Sequence, residues 1–206
     1  MSDTPDERES RKAQLKEIRD EVLALTSSPL YEERVKNGVF PVIGEGDHMA
    51  AIMFVGEAPG QNEAKTGRPF CGASGRILDE LLASIKVARE SVYITNIVKD
   101  RPPGNRDPQP EEIEIYAPFL DRQIHIIRPK VIATLGRFSM AHIIKKYGLD
   151  AHLTTISKMH GQLFEASAPH GTINILPLYH PATALYGGNT AKAILLEDFK
   201  VLKDLV

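Results

Sequence analysis

The sequence predicts an α/β protein, a three-layer α/β/α sandwich around a central, mainly parallel sheet of four strands. Three observations carry that prediction. Short apolar runs recur four times, at residues 50–55, 91–96, 129–136 and 172–181, each too short for a buried helix. Each runs into a glycine, an asparagine or a histidine at its end, as strands feeding loops do. Segments with helical spacing alternate with them, and strands alternating with helices build a parallel sheet covered on both faces. With 206 residues and 42% hydrophobic content, the chain can fill one core, so residues 1–206 are expected to form a single domain.

The opening "MSDTPDERES", residues 1–10, is polar and expected to be flexible. Leu15, Ile18, Val22 and Leu25 then recur at helical spacing and predict a helix over about residues 11–26. "AAIMFVG" is the first strand. Ile77, Leu78, Leu81, Leu82 and Ile85 form the apolar face of a helix over 74–87. "SVYITN" is the second strand, ending at Asn96. Residues 108–127 form a helix whose first turn holds Pro110, Glu111 and Glu112, residues that suit a helix amino terminus. "PKVIATLG" is the third strand and "RFSMAHIIKKYG" the helix after it. Residues 149–172 read as a loop with one short extended pair, "TINILPLYHP" as the fourth strand, and 191–206 as a closing helix.

Composition narrows the function. A formal net charge of -2 excludes a globally basic nucleic-acid coat while leaving room for a local patch. Cys71 is the only cysteine, so one chain can form neither an internal disulfide nor a cysteine metal cluster. There is no apolar run long enough to span a bilayer and no apolar signal core, which leads us to expect a soluble, cytoplasmic protein without membrane partners. Residues 60–66, "GQNEAKT", approach a phosphate-binding P-loop, but Ala64 stands where the second glycine must precede the lysine.

Ligands of open parallel sheets bind outside the carboxyl ends of the strands. Four loops should therefore open on one rim: 56–70, 96–106, the turn at Gly136, and that at His180 and Pro181. The first of these carries Gly56, Gly60 and Gly67, with Gly72 and Gly75 just beyond it, which allow backbone to approach a ligand closely. Phe70 in that loop is either a stacking surface for a flat ligand or a plug against the core. Asn96 offers a paired donor and acceptor, or simply turns the chain at a strand end. His180 is held extended by the following proline and could donate to a leaving group. Lys99, Arg101 and Arg106 lie on a stiff, proline-rich loop, suited to a phosphate backbone or merely solvated. Leu185 is an apolar side chain in a polar, glycine-flanked loop, which suits a wedge. Neither H-x-x-x-H nor C-x-x-C spacing occurs, so no metal is expected.

Together, "GEAPGQNEAKTGRPFCGASG", "YITNIVKDRPPGNRDPQPEE" and "HPATAL" resemble, in order and spacing over about residues 50–204, the motifs of the uracil-DNA glycosylase superfamily, and most closely its family 4. The resemblance implies a repair enzyme that flips uracil out of DNA and hydrolyses its N-glycosidic bond. It implies a pocket made by the backbone of Gly56, Glu57, Ala58 and Gly60, with Phe70 stacking on the base, Asn96 reading its edge and Glu63 excluding the thymine methyl. It also implies that His180 faces the carbonyl oxygen that gathers charge, and that Pro181 and Leu185 meet DNA. Uracil-containing DNA is thus the expected partner and a monomer the expected state.

Two departures qualify it. Family 4 holds a [4Fe-4S] cluster with four cysteines, but Asp100 and Tyr116 stand at two of those positions and the region before Cys71 has none. No cofactor is therefore expected, with packing around Tyr116 and the first helix in the cluster's place. Ala64 also replaces the usual aspartate. Ala58 occupies the position where some superfamily members carry a water-activating aspartate, leaving backbone carbonyls and Glu57 as candidates to hold water. The alternatives are a glycosylase for hypoxanthine or xanthine, and a damage-binding module that does not cleave.

Overall fold

The computed structural model describes residues 5–203 and 205. Helix α1 (Pro5–Leu23) turns Leu15, Ile18 and Val22 inward. Residues 5–10 belong to this helix, and 1–4 lie outside the described residues. Asp6 and Glu7 suit the first turn, and Arg11 ties the helix down by donating to the carbonyls of Ile127 at 2.7 Å and His48 at 3.1 Å. Then follow α2 (Tyr31–Asn37), β1 (Glu45–Gly46), β2 (Ile52–Gly56), α3 (Gln61–Thr66), α4 (Ala73–Ser84) and β3 (Tyr93–Asn96). The second half comprises α5 (Pro110–Ile127), β4 (Val131–Leu135), α6 (Arg137–Lys146), α7 (Ile156–Met159), β5 (Phe164–Ala168), β6 (Gly171–Leu178) and α8 (Thr183–Lys203). Among the described residues no helix is long and apolar enough to cross a membrane.

The sheet has six strands in the order β1-β3-β2-β4-β6-β5, not four. The four predicted strands are its parallel interior, and β1 and β5 are antiparallel additions at the two edges. Along β2 side chains alternate between two cores, as strand geometry requires. Met53 and Val55 pack with α1, α5 and α6, whereas Ile52 and Phe54 pack with α4 and α8. The result is the predicted three layers.

Helix α5 opens on a capping box, in which Gln109 and Glu112 bond reciprocally to each other's backbone. Helix α8 begins at Thr183 rather than near 191, and is kinked at Gly188, where φ is 61° and ψ −152°. Its long C-terminal part buries Leu195, Phe199 and Leu202, while the single turn before the kink carries Leu185 and Tyr186.

Four polar side chains fasten the amino-terminal helices to the sheet. The buried Tyr116 hydroxyl donates to Asp100 Oδ2 at 2.6 Å and lies 2.8 Å from Ser28 Oγ. Arg34 donates to the same carboxylate at 2.9 Å, and to the carbonyls of Val22 at 3.0 Å and Leu23 at 2.7 Å. Burial raises the Asp100 pKa, and Tyr116 and Arg34 oppose that rise by bonding to the charged form. Removing one partner of such a buried pair strands the other. Arg34→Leu should therefore destabilise the fold by about 3–5 kcal/mol, and Tyr116→Phe by about 1–2 kcal/mol, in urea unfolding. A loss below about 1 kcal/mol for Arg34→Leu would show that the network does not fasten α1.

Candidate active site

The carboxyl ends of β2, β3 and β6 converge on a cavity of about 410 Å³. The parallel register sets Gly56 directly beside Asn96. A Cβ at position 56 would lie 2.3 Å from Asn96 Oδ1 and 2.8 Å from the Phe70 ring, so only glycine lets these two groups meet. Asn96 is 2% exposed. Its amide faces a nearly dry wall, where a hydrogen bond discriminates more strongly than in water.

Phe70 is held in an unusual backbone state, with φ at 47°, in the left-handed region that non-glycine residues rarely occupy. Two contacts enforce it. Glu63 Oε1 accepts the N–H groups of Cys71 at 3.0 Å and Gly72 at 2.9 Å, which pins the loop beyond Phe70. Gly75 admits the Phe70 carbonyl, which would come within 1.8 Å of any Cβ there. The Phe70 and His180 rings lie 5.6 Å apart at 33°.

His180 follows β6. The N–H of Ala182 donates to its Nδ1 at 3.1 Å, so in the neutral ring the proton sits on Nε2. Burial pushes its pKa down to about 4, against the opposing charge of Glu63. The imidazole is therefore a neutral N–H donor at physiological pH. Glu57, also on the cavity wall, is pushed up to about 7 by burial first and by the charge of Asp107 second, with Arg137 opposing. Such a carboxylate can take a proton near neutrality.

The other sequence candidates fall in different places. Ala58 and Gly60 line the cavity by backbone and methyl, Pro181 is buried, and Leu185 is 42% exposed beyond the mouth. Lys99 requires correction: it is 0% exposed and cannot touch a phosphate backbone in this fold. Its three bonds to sheet and helix oxygens draw it inward from a loop that reads as surface. Arg106 lines the cavity but is forked onto Glu112 at 2.6 and 2.9 Å, and Arg101 donates to Asn105 at 2.6 Å. Sequence reasoning missed Arg137, exposed directly after Gly136 and paired with Asp107, although the glycine ending β4 already marked that turn. It also missed Tyr186, 89% exposed at the cavity mouth.

No group of three or more metal-ligating side chains occurs among the described residues. Where an iron-sulfur cluster would need thiolates, Asp100 and Tyr116 instead bond to Arg34 and Ser28. That set of oxygens and a guanidinium does not fit such a group.

Residues 43–200 match the profile of the uracil DNA glycosylase superfamily. A type-4 uracil-DNA glycosylase of Sulfurisphaera tokodaii is 46% identical over 93% of this chain and 84% of its own length. Those of Archaeoglobus fulgidus and Thermotoga maritima are 48% identical over 70% of this chain and 38% identical over 92% of it, covering 72% and 93% of those relatives. A superfamily profile over most of the chain, with type-4 relatives at 38–48% identity, leaves one conclusion: the chain belongs to the uracil-DNA glycosylase superfamily, among its type-4 members.

Proposed function

We propose that the protein excises uracil from DNA, leaving an abasic site, and that the cavity below His180 is where it does so. The observation that carries this reading is the meeting of three groups in one preformed cavity: an aromatic face, a buried amide and a neutral imidazole donor. The uracil nucleotide flips out of the duplex, at a cost of about a few kcal/mol, and enters beside Phe70. Asn96 bonds to its edge. The bond between C1′ and N1 breaks with both electrons staying on the base, so the sugar becomes oxocarbenium-like and the base an anion. His180 Nε2–H donates to the base carbonyl oxygen where that charge gathers. Water adds to C1′ and gives its proton to Glu57, which passes it on to the uracil anion, completing hydrolysis to free uracil and an abasic site.

Leu185 and Tyr186, on the exposed turn beyond the mouth, fit the gap that the flipped base leaves. Arg137 is the exposed cation best placed for a flanking phosphate, because its surface partner Asp107 holds it only weakly. The reading extends to a monomer that works in the cytoplasm on uracil-containing DNA. It also extends to an enzyme that works without an iron-sulfur cluster, as the donor set around Tyr116 suggests.

Four outcomes test this. In single-turnover cleavage of uracil DNA, His180→Ala should cost about 10²-fold or more in the chemical step, with little change in affinity for an uncleavable analogue. Glu57 acts as carboxylate, so the wild-type rate should fall as pH drops through about 7, while His180 stays neutral down to about 4. Glu57→Gln should remove that dependence; loss confined to affinity in His180→Ala would make the imidazole a positioning group. Leu185→Ala should slow duplex cleavage more than single-strand cleavage, and equal losses would leave Leu185 as packing. Purified protein should be colourless and contain no stoichiometric iron by elemental analysis, and a brown, iron-loaded sample would overturn the cofactor-free reading.

A further inference from the structure

Lys99 stands on the turn after β3, three residues beyond Asn96, and is wholly buried. Its Nζ donates to the carbonyl of Asn96 at 2.7 Å, to Thr95 Oγ1 at 2.9 Å and to Gln123 Oε1 at 2.5 Å. Three acceptors match the three N–H bonds of an ammonium, whereas a neutral amine has only two. All three are uncharged oxygens. Gln123 is itself fixed by donating to the Ile43 carbonyl at 2.8 Å and the Tyr93 hydroxyl at 3.2 Å, and burial keeps that hydroxyl protonated. The neighbouring carboxylate, Asp100, is taken up by Arg34 and Tyr116. Burial pushes the amine down to about 7, which measures what the enclosed charge costs.

A lysine that only held the loop would be better replaced by an uncharged side chain, because an enclosed cation without a counter-ion is expensive. The other side of Asn96 faces the cavity. Resting on the reading of that cavity as the uracil site, we propose that Lys99 is the buried counter-charge of the departing base, a positioning residue that clamps the Asn96 peptide and favours the anion over the neutral base. Only an interaction stronger in the transition state than in the ground state speeds the reaction, and a fixed cation behind the pocket wall is of that kind.

The test varies how much stabilisation the leaving base needs. 5-Fluorouracil departs as a more stable anion than uracil, so it depends less on a buried cation. Single-turnover cleavage of the two bases in otherwise identical DNA, at one pH near neutrality, is compared for wild type, Lys99→Met, Gln123→Glu and Asn96→Ala. Lys99→Met should slow uracil release about tenfold or more and 5-fluorouracil release by a clearly smaller factor. Gln123→Glu keeps an oxygen for the ammonium and sets a negative charge on it while giving up the bond to the Ile43 carbonyl, so with its fold checked by urea unfolding it should slow uracil release more than 5-fluorouracil release. Equal slowing of both bases in Lys99→Met, or unchanged uracil release in folded Gln123→Glu, would make Lys99 a structural clamp only and overturn the proposal. If Lys99→Met does not fold, Gln123→Glu decides alone. Wild-type cleavage by Asn96→Ala would instead overturn the reading of the cavity, whatever Lys99 does.

Discussion

The cavity depends on the absence of a side chain at position 56. Because β2 and β3 run parallel and in register, Gly56 and Asn96 sit side by side at their carboxyl ends, and the Phe70 ring closes over both. A single methyl group there would collide with the amide and the ring together. The rest of the wall is arranged around that contact. Glu63 and Gly75 force the backbone of Phe70 into a conformation it would not adopt alone, and the turn at Ala182 sets the orientation of the His180 ring. Strain of this kind persists only where neighbours over-determine it.

Around that wall the protein keeps its charges in unstable balance. Burial lifts Glu57 towards neutrality, lowers His180 below it and brings Lys99 down from the alkaline range, so three groups near one ligand lie far from their solution behaviour. A negative base held among them would meet fixed donors in a largely buried wall, where electrostatic stabilisation is strongest. The tightly paired ions, Arg34 with Asp100 behind the sheet's edge and Arg106 with Glu112 at the cavity's rim, hold the scaffold.

Much of this was legible in the sequence, for reasons that can be named. The four interior strands are continuous apolar runs because both their faces are covered, and Gly56, Asn96 and Gly136 mark their ends. Strand β1 is two residues long and β5 alternates between half-buried and exposed positions, so neither produces an apolar run. Phe70, Asn96 and His180 stand out because each breaks its local pattern. Lys99 did not, since a lysine beside two prolines looks like surface and one of its acceptors, Gln123, is 24 residues away. Asp107 and Arg137 were hidden likewise, because their effect on Glu57 arises only when three separate loops fold together.

The kink at Gly188 has a mechanical consequence. The last helix is anchored by Leu195, Phe199 and Leu202, yet its first turn, with Leu185 and Tyr186, is joined through a residue whose backbone angles no helix shares. Backbone bonds hold the first turn to the other side of that joint, the N–H of Thr183 donating to the His180 carbonyl at 2.9 Å and that of Ala184 to the Pro181 carbonyl at 3.1 Å, so the tip is continuous with the loop that carries the imidazole. A displacement of the tip is therefore passed to His180 before it reaches the buried part of the helix.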